Sequence, residues 1–280
     1  MARITIGGVE IEYELIGKTG APAVSLTPGG RFSKDSPGLP ELAEKLAQGG
    51  KRVLLWDRPN SGASDIYLDA EYESVHHGRV LTALIRKLEL GRTAVCGGSA
   101  GSRVSLIAAS RDPEIVSHLV IWWISGGVVG LLQLAAYYCC DQATAASKGG
   151  MEAVAALPAW AEQIKKNPRN RDILLRQDPR TFIETMERWA MFYVPQENTP
   201  VPGMSPQDWA RLQMPALVFR SGESDLSHTR ATSEWVHRLI PQSKLMEPPW
   251  MDHEWNTRSG TPTLFGGWPA LAPYILDFTK

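Results

Sequence analysis

A serine becomes a nucleophile when its backbone lifts it clear of a sheet and a base draws off its proton, and this chain carries residues of the right types for both. Gly97-Gly98-Ser99-Ala100-Gly101 sets a serine in a G-x-S-x-G frame, between an apolar run ending at Cys96 and a helix-like run that begins near Ser102. A tight strand-to-helix turn strains its central residue, and only small residues at 97 and 101 leave room for it. Because a serine hydroxyl is a weak nucleophile at neutral pH, the pattern calls for a base, most often histidine. Six histidines are available. His76 and His77 lie before or within a predicted helix, His118 starts a strand, and His228 and His237 flank or sit on a helix. His253 instead follows a short strand and Pro248-Pro249, in the loop Trp250 to Trp255. Loops at the carboxyl edge of a sheet gather catalytic groups, so His253 is the expected base.

An imidazole acting this way needs a carboxylate to orient it and to stabilise the imidazolium. Asp225, directly after the apolar run Ala216 to Phe219, is expected in that role, ahead of Glu223 and Asp252. Its other reading is an N-cap for the next helix. The intermediate's oxyanion needs backbone N–H donors. Ala100, after the nucleophile, is one, and Gly30 in Thr27-Pro28-Gly29-Gly30-Arg31 is the favoured second. Nothing in this chemistry requires a cofactor or a metal.

The elements that must position these residues follow from hydrophobic periodicity. Two alternating runs, 3–6 and 9–16, joined at Gly7-Gly8, predict a hairpin. Apolar runs at 23–26, 53–56, 93–96 and 119–124 alternate with helical patterns at 39–48, 75–88 and 102–110, which predicts a parallel sheet wrapped by helices. The alternation resumes with a strand at 216–219, a helix at 230–239, a strand at 244–247 and a closing helix at 271–279. Between them, helix-like pieces at 131–140, 151–164 and 182–192 are separated by prolines. The expected division is a core of 1–127 and 206–280, with a helical cap of 128–205 inserted over the sheet.

Composition narrows the field. The 280 residues include 29 Lys+Arg and 30 Asp+Glu, a net charge of −1 that gives no field to attract nucleic acid or an anionic membrane. Three cysteines, two of them adjacent, make no disulfide framework, and no export signal or membrane span is read, so a cytoplasmic location is expected. The expected partner is a small-molecule substrate, with a homodimer left open.

Pro28-Gly29-Gly30, the Asp57 to Asp65 segment, the Ser99 elbow, and Gly222 to Asp225 with His253 together resemble the α/β-hydrolase superfamily over about residues 3–125 and 205–278. Asn60-Ser61-Gly62 departs from the glycines usual in that family's second segment, and Pro28 stands where a histidine often precedes the oxyanion glycine. The resemblance implies acyl transfer to Ser99 and hydrolysis of the acyl-enzyme. Similar capped folds include carboxylesterases, carbon–carbon bond hydrolases of meta-cleavage products, prolyl iminopeptidases and perhydrolases. Relatives with an aspartate nucleophile are disfavoured by Ser99. Ester cleavage is the first expectation, carbon–carbon cleavage the second, and a non-catalytic ligand-binding protein on the same fold the third. Ten tryptophans point to an apolar pocket, with Trp123, Trp189 and Trp250 as candidate lining residues. Arg31, and Arg188 in the cap, are candidates to meet a substrate carboxylate.

Overall fold

The computed structural model describes residues 2–250 and 265–280. Strands β1 (Ala2–Ile6) and β2 (Val9–Ile16) form the predicted hairpin. They are followed by β3 (Ala23–Thr27), β4 (Arg52–Trp56), β5 (Thr93–Gly98), β6 (Val116–Trp122), β7 (Ala216–Phe219) and β8 (Lys244–Met246). The eight strands make one sheet in the order β1-β2-β4-β3-β5-β6-β7-β8. β1 and β2 run antiparallel, and β3 to β8 run parallel.

Strand periodicity splits the core into two layers. Leu54 and Trp56 of β4, with Leu119 and Ile121 of β6, face one layer together with α2 (Glu73–Lys87) and α3 (Ala100–Arg111). Val53, Leu55, Val120 and Trp122 face the other, against α1 (Leu39–Gln48) and α11 (Ala272–Phe278). β3, β5 and β7 are buried along their whole length, as parallel strands covered on both faces must be.

The chain between β6 and β7 is helical: α4 (Val128–Ala135), α5 (Asp141–Ala155), α6 (Pro158–Lys166), α7 (Arg169–Leu175), α8 (Pro179–Met191) and α9 (Pro206–Ala210). The continuous helix expected over 131–140 instead ends at 135 and widens into a five-residue π-turn at Ala136–Cys140. The extra residue per turn brings Tyr138 and Cys139 inward, and the Tyr138 ring comes to lie 5.1 Å from the Arg31 guanidinium. Gly149 and Gly150 break helical geometry inside α5. After β7 come α10 (Arg230–Leu239) and β8. No helix among the described residues is long and apolar enough to cross a membrane.

Candidate active site

Ser99 occupies the corner between β5 and α3, with φ 57° and ψ −122°, a strained conformation for a residue with a side chain. The glycines on either side are enforced by contact. A Cβ on Gly97 would come within 2.4 Å of the Gly101 carbonyl oxygen, and one on Gly101 within 2.1 Å of the Thr27 carbonyl oxygen at the end of β3. The Ser99 N–H donates to the Trp122 carbonyl at 3.2 Å, and the Ser99 carbonyl accepts from the N–H and hydroxyl of Ser102 at 3.0 and 2.6 Å. The main chain is thereby fixed on both sides of Ser99.

A single turn after β7 supplies both the imidazole and the carboxylate. His228 Nε2 lies 2.8 Å from Ser99 Oγ, and His228 Nδ1 lies 3.0 Å from Asp225 Oδ2. The other carboxylate oxygen of Asp225 accepts the N–H groups of Ser227 and His228 at 2.9 and 2.8 Å, which closes the turn. Both side chains are almost fully buried, at 2% and 4% exposure, so the pair works in a dry, low-dielectric setting. Asp225 does not cap α10; Thr229 does, accepting from the Thr232 N–H. The corner after β6 braces the turn: Gly126 N–H donates to the Ser227 carbonyl at 3.3 Å, and Ser125 Oγ lies 3.5 Å from Ser99 Oγ. The Trp123 ring stacks on the His228 imidazole, with centroids 6.0 Å apart.

The structure places Ser99 and Asp225, the expected nucleophile and orienting carboxylate, on either side of the His228 imidazole. His253 and Asp252 lie outside the described residues. Sequence reasoning passed over His228 because it sits just before a helix. The available signal was the spacing Asp-x-x-His directly after a buried strand, which one tight turn can fold back on itself.

Ala100 opens α3, so its N–H has no acceptor within the helix and stands next to Ser99. Arg58 donates to the carbonyl oxygens of Gly29 and Gly30, and the Phe32 N–H also donates to Gly29. In a trans peptide this turns the Gly30 N–H away from Arg58. Of the pocket candidates, Trp123 lies on the histidine, and Trp250 packs against Trp123 at 5.6 Å. Trp189 is buried, and its indole N–H goes to the Ala70 carbonyl at 3.0 Å. Arg188 is likewise tied to the Ala70 and Glu71 carbonyls. Arg31 is buried, paired with Glu73 at 2.6 Å, and lies over the rings of Tyr138 and Trp160. Burial opposes its charge, but the Glu73 carboxylate prevails and raises its pKa. Asp57, in the turn similar to the family's second segment, accepts the Lys34 and Ala63 N–H groups at 2.6 and 2.8 Å and serves the loop's architecture. Burial raises its pKa in spite of those bonds.

Comparison with known proteins bears on the fold and the class of enzyme. The sequence profile described as the alpha/beta hydrolase fold matches residues 28–125, the stretch from the glycine loop through the elbow to the end of β6. The chain is 25% identical over 263 residues to the serine hydrolase BPHL of Homo sapiens, covering 92% of this chain and 81% of that protein. It is 36% identical over 87 residues to a 2-hydroxy-6-oxononadienedioate/2-hydroxy-6-oxononatrienedioate hydrolase of Cupriavidus pinatubonensis, a match spanning 31% of this chain and 29% of the relative. Among solved structures, an enol-lactonase from Burkholderia xenovorans superposes with a TM-score of 0.62 at 19% identity, covering 99% of both chains, and so shares the fold. The chain has the α/β-hydrolase fold, resembles that superfamily in sequence over residues 28–125, and is an enzyme of the hydrolase class.

Proposed function

We propose that this hydrolase cleaves a carboxylic ester of a small to medium, partly hydrophobic substrate through an acyl-enzyme on Ser99. One observation carries the reading: a single imidazole, His228, within hydrogen-bond reach of both Ser99 Oγ and the Asp225 carboxylate. In the proposed mechanism His228 Nε2 takes the hydroxyl proton as Oγ attacks the ester carbonyl, and Asp225 stabilises the imidazolium that results. The N–H groups of Ala100 and Gly30 hold the oxyanion. Collapse of the intermediate expels the alcohol, which receives its proton from His228. Water, activated by the same imidazole, then releases the acid. The helices at 128–205 act as a cap that screens the reaction from solvent, with Trp123 and Trp250 lining its apolar side.

The expected base, His253, and the observed candidate, His228, are separated by experiment. Labelling with a fluorophosphonate probe should modify Ser99, be abolished by Ser99→Ala, and be slowed far more by His228→Ala than by His253→Ala. A wild-type protein that resists the probe points to a ligand-binding role instead. A second reading, carbon–carbon bond hydrolysis, is favoured by the 36% identity over 87 residues to the 2-hydroxy-6-oxononadienedioate/2-hydroxy-6-oxononatrienedioate hydrolase. Turnover of 4-nitrophenyl esters against that of a ring-fission dienoate distinguishes the two.

A further inference from the structure

Asp225 and His228 stand on the same short turn. The bond between them fixes the imidazole relative to that turn and leaves the reach of Nε2 toward Ser99 to be set from outside. The outside hold comes from residues 122–133, which run from the end of β6 into α4. At one end the Trp122 carbonyl accepts the Ser99 N–H at 3.2 Å. Further along, the Gly126 N–H donates to the Ser227 carbonyl at 3.3 Å, and Gly126 pairs with His228 as an isolated parallel bridge. One stretch of chain thus touches both the elbow and the turn.

α4 presses on the turn at close range. Gly130 is buried, and a Cβ there would come within 2.7 Å of the Ser227 carbonyl oxygen and 3.1 Å of the Ser227 Cα and carbonyl carbon. Three residues on, the Ser227 hydroxyl donates to Gln133 Oε1 at 2.9 Å. The helix caps meet as well: Gly127 caps α4 at φ 73°, and a Cβ on it would come within 2.9 Å of the methyl of Thr229, which caps α10. The atoms nearest to a Cβ on Gly130 are all main chain, so none can swing aside. They belong to the planar peptide unit that joins Ser227 to His228, and a push on its oxygen passes to the His228 Cα. Ser99 cannot follow such a movement, because its own main chain is held by Trp122 and Ser102.

We propose that α4 sets the distance between the base and the nucleophile, and that Gly130 is the positioning residue through which it does so. The inference rests on the serine-hydrolase reading and deepens it: the helix that opens the cap also tunes the chemistry beneath it. A proton passes from Oγ to Nε2 over 2.8 Å, and its transfer falls off steeply when that contact is lengthened or turned. With no side chain at 130, the turn settles at this distance. A methyl group there drives the peptide away from α4 and takes the imidazole with it, while Asp225, carried on the same turn, stays bonded to the ring.

The test measures fluorophosphonate labelling of the full chain and separates the limiting rate, kinact, from the affinity, KI. Gly130→Ala is expected to lower kinact about tenfold or more, with KI within about twofold of wild type. Gly78→Ala is the control, since its Cβ would come within 2.8 Å of Ile107 Cγ2 between α2 and α3, outside the turn. It should lose stability and keep kinact within about threefold. A smaller loss in Gly130→Ala, a loss that appears in KI instead, or a loss beyond threefold in Gly78→Ala overturns the positioning role, while labelling of wild type leaves the hydrolase reading in place. A wild type that resists the probe removes that reading and the inference with it. If Gly130→Ala does not fold, Gln133→Ala decides. It frees the Ser227 hydroxyl from α4 without touching the bonds inside the turn, and is expected to lower kinact about threefold or more, any smaller loss overturning the proposal.

Discussion

Asp225 grips His228 twice, through the imidazole Nδ1 with one carboxylate oxygen and through the main-chain N–H with the other. One aspartate thus sets both the path of the turn and the orientation of the ring, and the two functions should be separable by mutation. Asp225→Asn keeps an oxygen that can accept the Ser227 and His228 N–H groups but loses the negative charge beside Nδ1. Its kcat is expected to fall about 10⁴-fold with little change in melting temperature, the size of effect seen when an orienting carboxylate becomes an amide. Asp225→Ala should lose the turn as well, and a lower melting temperature would show it. If the Asn variant kept wild-type kcat, Asp225 would have no part in orienting the base.

The identity of the base is the sharpest test of the site. His228→Ala is expected to lower kcat about 10³-fold or more. Measured on the same ester, the loss should exceed that of His253→Ala by at least two orders of magnitude. The reverse ranking would return the base to residue 253.

The elbow should resist even one added methyl. Gly97→Ala and Gly101→Ala each drive a Cβ into backbone atoms, at 2.4 and 2.1 Å, where nothing flexible can move aside. Each is expected to destabilise the protein by about 2–3 kcal/mol or to prevent folding. Urea unfolding would reveal it, and a wild-type midpoint in either variant would contradict the packing described.

Stability should decline in mild acid through α2. Burial, followed by the positive charge of Arg79, holds the His76 imidazole down to about 4 from its ordinary 6.5. The unfolded chain takes up this proton near pH 6.5 while the folded chain refuses it until about pH 4, so stability is complete above 6.5 and drains away between 6.5 and 4. At 1.36 kcal/mol per pH unit the ceiling is about 3 kcal/mol. His77 acts in the same direction. His76→Gln should flatten the fall in unfolding free energy between pH 6.5 and 4.5, and an unchanged slope would exclude His76 as its source.

The strands and the elbow were legible in the sequence because each has a local cause. Leu54 and Trp56 alternate with Val53 and Leu55 by strand geometry, and Gly97 and Gly101 mark a turn with no room for side chains. His228 was not legible in the same way. Its role depends on a three-residue chain reversal pinned by Asp225, and neither helical nor strand periodicity registers such a turn. The widened turn at 136–140 was hidden for a related reason: one extra residue in a helical run leaves the hydrophobic pattern nearly intact.

Gly29 has a further meaning for what this scaffold can become. A Cβ there would come within 2.9 Å of the Ser99 Cβ and 3.4 Å of its hydroxyl oxygen, so the missing side chain defines how much atom the corner admits. Retooling residue 99 to aspartate would push a bulkier group toward that same main chain. The loop carrying residue 29 would have to retreat first, and Arg58, which holds it by two carbonyls, would have to release it. The size of the group that position 99 can carry is thereby limited by a residue whose contribution is the absence of a side chain.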